Sequence, residues 1–377
     1  MLIEKIEIIH LRIPFKQKFK HSLKTRKYTD NIIIRISSEN NFGIGESLPR
    51  EYVTGENIDT CFEKLNNNII PQFKGKNYTT FNQILDNIIS YLKDIDEKEN
   101  SAFAAFETAL LNLACKEYSK NIEDILKYLD IQPETKEQIQ YDAIISESNK
   151  IISCIKSYII KHNNFKNVKI KISNTSYKKL SFMRKILRNQ NIRVDANCAF
   201  QLENIQKLIE ILNKNKIKYI EQPTKQDYKH ATKIYDLFNK NKIKIILDED
   251  IRTQDDLDKI ISNPKTGHIP NLRVSKCAGI INTLLMYKKC RENNIQVILG
   301  CLVGETILTK INIILAKHLN TLFNEGDYDK FLFKQKIIDN PSFNKEGILK
   351  NIDFDINFDE DINKNYKEFL IKSKSVE

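Results

Sequence analysis

Apolar and polar residues alternate from Leu2 to Leu11 and again through Asn31-Ile32-Ile33-Ile34-Arg35-Ile36, and this period of two predicts β-strands. Asn40-Asn41-Phe42-Gly43 supplies a turn before a third strand. Two polar stretches flank these strands and read as loops: Phe15 to Thr29, with His21-Ser22-Leu23-Lys24-Thr25-Arg26, and Gly43 to Glu56. From residue 57 to about 130 the pattern becomes helical. In its clearest run, Ser101 to Ala114, small and apolar residues cover most of the circumference, which predicts a helix buried on several sides. From about Tyr141 strands and amphipathic segments alternate. Strands are predicted near 141–145, 168–172, 192–195, 218–221, 243–248, 269–274, 295–299 and 321–325, with helical segments such as Leu202–Asn213 and Asp255–Ser262 between them. Eight βα units in about 190 residues predict a parallel barrel. The fold class is therefore α/β: a (β/α)7–8 TIM-type barrel with an α+β N-terminal capping domain. The cap is expected over 1–130, with a C-terminal return over about 335–377, and the barrel over 131–334.

The strand ends carry the candidate chemistry. In Val168-Lys169-Ile170-Lys171-Ile172 both lysines leave one face and the apolar residues the other. Alone, this reads as a solvated edge strand. Downstream, three apolar runs each end in a carboxylate: Asp195, Glu221 and Asp248, spaced 26 and 27 residues apart, about one strand-helix repeat. Each acid alone reads as a surface charge. In a barrel, however, catalytic groups sit at the C-terminal strand ends, so these three would converge. Three carboxylates in one mouth repel unless a cation sits between them. An oxygen-only set with room for water and substrate favours Mg²⁺ over zinc.

Bulk properties narrow the function classes. The chain has 377 residues, 41% hydrophobic and 29% charged, an ordinary globular composition. Its net charge is +11, but the lysines are spread along the chain and form no basic arm or aromatic platform, so nucleic acid is not the expected partner. No apolar run reaches the roughly 18 residues needed to span a bilayer, so no membrane is expected either. Met1-Leu2-Ile3-Glu4-Lys5 alternates like a strand and lacks a signal-peptide core, which leaves a cytoplasmic location as the expectation. The seven cysteines are scattered and show no CxxC spacing, so neither a disulfide framework nor a zinc site is indicated.

In order and spacing, the motifs Lys169-Ile170-Lys171, Asp195-Ala196-Asn197, Glu221-Gln222-Pro223, Asp248-Glu249-Asp250 and Asn271-Leu272-Arg273-Val274-Ser275-Lys276-Cys277-Ala278-Gly279 resemble the enolase superfamily, in its muconate-lactonizing and dipeptide-epimerase branch. The resemblance extends to the N-terminal loops and the Ser101–Ala114 helix. It implies Asp195, Glu221 and Asp248 as Mg²⁺ ligands and Lys171 as general base, with Lys169 beside it helping to depress its pKa. It also implies that the two N-terminal loops, carrying Arg26, Arg50 and Tyr52, close over a small-molecule carboxylate. The reaction would be abstraction of an α-proton to an enediolate. The first expected outcome is epimerisation or racemisation of a dipeptide or N-acyl amino acid. The alternatives are cycloisomerisation, a β-elimination such as succinylbenzoate synthesis, or a metal-binding homologue without turnover. The resemblance leaves a homo-oligomer open, since family members are often oligomers.

The chain departs from the pattern on the sixth strand. Where the family has a second acid/base lysine, this sequence has Arg273; a later lysine is kept as Lys276, and the first glycine of the motif is Ala278. Arginine stays protonated and is a poor base, which gives weight to a one-base outcome. Lys276 could substitute, but positions 273 and 276 have opposite strand parity and cannot both point inward unless the strand ends between them. After the seventh strand, Glu305 is a candidate for polar contact with substrate, or else a helix N-terminal acid. Glu325 and Asp327 keep the charge and spacing of the Asp-x-Asp with which dipeptide epimerases hold a substrate ammonium group. Cys198 reads as packing.

Overall fold

The structure, a computed structural model, describes residues 1–20, 25–145, 164–225, 228–263, 268–326, 337–359, 362 and 364–376. The first sheet is antiparallel. Strands β1 (Lys5–Lys20), β2 (Thr25–Ser37) and β3 (Phe42–Ser47) are joined by β13 (Leu370–Val376) from the far end of the chain, in the order β13-β1-β2-β3. Their alternating isoleucines are buried, among them Ile6, Ile8, Ile32, Ile34 and Ile36. The stretch from Phe15 to Thr29, expected as a loop, is instead largely paired strand: Phe19 opposes Arg26 and Lys20 opposes Thr25. The polar composition misled because cross-strand pairing is made by main-chain groups and does not require apolar side chains.

Helix Asn100–Glu117 lies across this sheet and is buried from Asn100 to Cys115. It approaches so closely that a Cβ on Gly45 would lie 2.2 Å from the Ala105 carbonyl oxygen. Only glycine permits that contact.

The second sheet is parallel and curled. Its strands are β5 (Ala143–Ile145), β6 (Asn167–Lys171), β7 (Asn191–Asp195), β8 (Tyr219–Glu221), β9 (Lys244–Leu247), β10 (Ile269–Leu272) and β11 (Ile298–Leu299), neighbours in chain order. The expected eighth strand near 321–325 is absent as a strand and is reduced to one parallel bridge between Leu299 and Asn324. That segment still reaches both edges. Glu325 N donates to Leu299 O at 3.0 Å and Asp142 N donates to Asn324 O at 3.1 Å. A smaller pair, β4 (Gln138–Gln140) and β12 (Ile348–Lys350), lies beside it. Helices Leu202–Lys214, Tyr228–Lys240, Gln254–Ile261, Ile280–Glu292 and Ile307–His318 alternate with the strands. No helix among the described residues is long and apolar enough to cross a membrane.

Two buried carboxylates tie the layers together. Glu46 on β3 accepts from Thr306 N at 2.7 Å and Leu308 N at 3.0 Å, at the start of helix Ile307–His318. Glu107 accepts from Ile280 N at 2.9 Å and Ile281 N at 2.8 Å, at the start of helix Ile280–Glu292. Each satisfies main-chain donors that a helix cannot satisfy itself.

Candidate active site

Strand parity builds the inside of the curled sheet. In register, Lys169 faces Arg193, Lys171 faces Asp195, and Asp195 faces Glu221. Residues two apart share a face, so Lys169 and Arg193 lie one layer below Lys171 and Asp195. That lower layer is a buried ion network. Lys169 Nζ lies 2.5 Å from Glu325 Oε1, 3.2 Å from Glu221 Oε2 and 3.4 Å from Asp195 Oδ2. Arg193 pairs through Nε with Asp142 at 2.8 Å and through Nη1 with Glu221 at 2.6 Å, and also holds Glu325. Asn271 Nδ2 donates to Glu221 Oε1 at 3.0 Å.

Above this layer Lys171 Nζ lies 3.0 Å from Asp195 Oδ2 and donates to Asn197 Oδ1 at 2.9 Å. Asn197 in turn donates to Glu249 at 3.2 Å. Strand β10 ends at Leu272, one residue before Arg273, so the parity conflict does not arise. The chain turns at once, with Lys276 N and Cys277 N both donating to Arg273 O at 2.9 Å. Arg273 and Lys276 therefore reach the same acid. Arg273 bonds Asp248 Oδ2 and lies 3.6 Å from Glu221 Oε1, while Lys276 Nζ holds Asp248 Oδ1 at 2.9 Å. Lys276 is fully buried and also donates to the main-chain oxygens of Asp248 at 2.5 Å and Asn271 at 2.9 Å.

A cavity opens over these groups. Lys169, Lys171, Asn197, Asp248, Glu249, Arg273 and Glu325 line one side, with Arg50, Tyr52 and Val53 from the capping side. Lys276 is not among its lining residues. Arg26 stands behind Tyr52, its guanidinium 5.7 Å from the ring centre. Glu305 braces a loop: its carboxylate accepts from Leu302 N at 2.8 Å and Asn312 Nδ2 at 2.8 Å. Glu325 lines the cavity, but its charge is already met by Lys169 and Arg193. Asp327 lies outside the described residues.

Residues 155–351, just over half of the chain, match the family described as "Enolase C-terminal domain-like". The chain belongs to the enolase superfamily. It is similar to an L-Ala-D/L-Glu epimerase from Clostridium acetobutylicum, 25% identical over 85% of this chain and 86% of that one. It is equally similar to an o-succinylbenzoate synthase from Bacillus subtilis, 25% identical over 83% of this chain and 82% of that one. Its fold matches a dipeptide epimerase from Cytophaga hutchinsonii, solved with Mg and D-Ala-L-Val, at a TM-score of 0.81 and 21% identity over the full length of both chains. In this superfamily setting the buried charges form an isomerase- or lyase-type active site, built for acid/base enediolate chemistry on a carboxylate substrate.

The electrostatics follow from burial and partners. Burial opposes the charge on Lys169, but Glu221, Glu325 and Asp195 outweigh it and raise its pKa. Lys169 is thus held as a cation by its own ring of acids. Burial also works against ionised Asp195 and Asp248, yet their lysine and arginine partners lower both pKa values. For Glu221 burial wins and the pKa rises.

The donor chemistry fits a hard divalent cation. It is all oxygen, and Asp195 Oδ2 is buried with two ammonium groups at 3.0 and 3.4 Å, a carboxylate oxygen whose surroundings are already cationic. The expected convergence of the three acids on one point differs in detail. Among the described residues no three acids form a metal-sized cluster, because Lys169 stands between Asp195 and Glu221, and Arg273 between Glu221 and Asp248.

Sequence reasoning misses Arg193 and Asp142 as parts of the site and gives no role to Asn197 and Asn271, which stand within its motifs. Parity could have found Arg193, two residues before Asp195. Glu249 stands within the Asp248-Glu249-Asp250 motif, which by itself assigns it no role; its Oε2 is buried without a hydrogen-bond partner.

Proposed function

We propose that this protein removes the α-proton of a carboxylate substrate with Lys171 and completes its reaction on that same face. The observation that carries this reading is the exchange of places on the far side of the cavity. Arg273 lines it, and Lys276 is buried against Asp248. Arginine remains protonated in proteins and so is ill suited to give or take a proton.

Asp195, Glu221 and Asp248 would hold Mg²⁺, which when bound supplies Lewis-acid stabilisation of the enediolate charge. Lys171 Nζ forms a bond to the α-proton, and the C–H electron pair moves into the carboxylate. Asp195 and Asn197 orient that amine. Arg273 offers a fixed positive charge to the developing anion. In a β-elimination Lys171 returns its proton to the leaving group on the same face; in ring closure the enediolate forms by addition to a double bond and its α-carbon takes a proton from Lys171, with α-proton removal as the reverse, so one lysine serves either direction. These are the outcomes best suited to one titratable lysine.

Epimerisation of a dipeptide or N-acyl amino acid is the second reading. It is favoured by the names of similar proteins, such as the Clostridium L-Ala-D/L-Glu epimerase and the Bacillus cereus N-succinyl-L-Arg/Lys racemase. Incubation with Mg²⁺ in D₂O and a library of N-acyl amino acids and dipeptides separates the two. Exchange with retention, lost on Lys171→Ala, supports the one-face reading. Exchange with inversion would replace it by the second.

A further inference from the structure

Helix Asn100–Glu117 belongs to the N-terminal layer, yet two of its side chains hold the barrel loops that carry reacting groups. Asn100 is only 2% exposed and is not among the residues that line the cavity. Its Nδ2 donates to Arg252 O at 3.0 Å and to Lys276 O at 3.1 Å. A side-chain amide nitrogen has two N–H donors, and both are spent here, one on each of two strand-end loops. Arg252 follows Asp248 by four residues, and Lys276 follows Arg273 by three. These are the loops whose side chains meet at the Asp248 carboxylate.

Two helical turns further along, on the same face of the helix, Glu107 accepts from Ile280 N and Ile281 N. The segment from Arg273 to Ile281 is thus fastened to one helix at its middle and at its end. Between those points it turns tightly, with Gly279 N donating to Val274 O at 2.9 Å. Within the barrel the same two loops are joined through Asn282, which accepts from Gln254 Nε2 at 2.9 Å and donates to Cys277 O at 3.1 Å. One link between two loops leaves a hinge; a second, from Asn100, fixes their relative orientation. The Arg273 guanidinium is held only as firmly as the turn that bears it, and a small misplacement of a group in an active site is costly in rate.

We propose that Asn100 is a positioning residue for the reaction: it ties the Asp248 loop to the Arg273 turn and so sets where the Arg273 guanidinium stands in the cavity. This rests on the reading above in which Arg273 meets the developing anion, and deepens it by naming what holds that charge in place. Asn100 touches no reacting group and acts through Arg273.

The test is a double-mutant cycle, which isolates that dependence. The substrate is whichever N-acyl amino acid or dipeptide the wild type exchanges fastest with Mg²⁺ in D₂O. Asn100→Ala is expected to lower kcat for α-exchange on the order of tenfold to a hundredfold, with KM moving less than about threefold. In an Arg273→Met background the same substitution is expected to cost less than about twofold, because nothing is left to position. If Asn100→Ala fails to fold, Asn100→Ser keeps one donor and gives the same cycle at smaller amplitude. Equal losses in both backgrounds, or none, overturn the positioning role while leaving proton abstraction standing. If no substrate exchanges, the cycle is read on Mn²⁺ affinity by paramagnetic resonance. Asn100→Ala is then expected to tighten Mn²⁺ binding severalfold, because a loosened Arg273 grips Asp248 less, and to change nothing in the Arg273→Met protein. That result supports the positioning role and places the failure on the proposed chemistry. Equal shifts in both backgrounds, or no shift in either, overturn it.

Discussion

Arg273 and Lys276 grip the two oxygens of one carboxylate, that of Asp248, yet only Arg273 lines the cavity. A lysine reaching in from this strand end could titrate; the guanidinium cannot. Replacing Arg273 by lysine restores a proton carrier there. Arg273→Lys is expected to add inversion to an exchange that proceeds with retention in the wild type. Chiral chromatography of the recovered substrate checks this.

Lys171 is expected to be indispensable. Its side chain is 11% exposed and its partners are Asp195 and Asn197, so Lys171→Ala leaves the layer below intact. Exchange should fall by at least about a thousandfold, in line with loss of a general base. The melting temperature should stay within a few degrees of the wild type. A variant retaining a tenth of the activity would assign the base elsewhere.

The guanidinium of Arg273 also competes for acids that a divalent cation needs. Arg273→Met frees Asp248 Oδ2 and removes a positive charge from beside Glu221. Binding of Mn²⁺, followed by paramagnetic resonance, is expected to tighten about tenfold in this variant, since like charges repel strongly in a buried site. Unchanged or weaker Mn²⁺ binding would remove Arg273 as a competitor.

The turn after β10 makes a prediction about stability. Ala278 sits at φ 56° in the left-handed region, and Gly279 follows at φ 102°. Ala278→Gly should stabilise the fold by about 1 kcal/mol, because only glycine adopts that region without penalty. Gly279→Ala should do the reverse and more strongly. A Cβ there would lie 2.6 Å from Glu107 Oε2 and break the cap on helix Ile280–Glu292. Urea midpoints of the two variants should move in opposite directions.

His268 supplies a pH dependence. Its ring packs edge-on against Tyr235 with centroids 4.2 Å apart, and burial lowers its pKa to about 4. Between the ordinary histidine value and pH 4 the unfolded chain binds a proton that the folded chain refuses. The contribution is therefore complete above about pH 6.5 and is lost as pH falls towards 4, by up to about 3 kcal/mol. His268→Phe should flatten this part of the stability profile while leaving neutral pH little changed. A profile identical to the wild type between pH 6.5 and 4 would contradict it.

The strand ends were legible because acids and lysines interrupt apolar runs at one strand-helix spacing. Asp195, Glu221 and Asp248 announce themselves this way. The early end of β10 was not legible. Asn271-Leu272-Arg273-Val274 alternates like continuing strand, and the turn is closed by main-chain bonds from Lys276 N and Cys277 N to Arg273 O, which side-chain alternation does not report. The layer of Lys169, Arg193 and Glu325 was hidden for another reason. A barrel interior is ordinarily apolar, and here ion pairs fill it. Glu46 and Glu107 gave no signal either, since their partners lie more than 170 residues away and the contacts are to main chain.

Those last two acids bear on how the protein could be dissected. Expressed by itself, the parallel sheet with its helices would present two helix starts stripped of their carboxyl caps, one beside the turn bearing Arg273 and one beyond the Cys301–Glu305 loop. The N-terminal layer is thus part of the scaffold that sets the strand-end residues, as well as one wall of the cavity. Grafting the cap of a relative to change specificity should succeed only where carboxylates at these two positions are carried across with it.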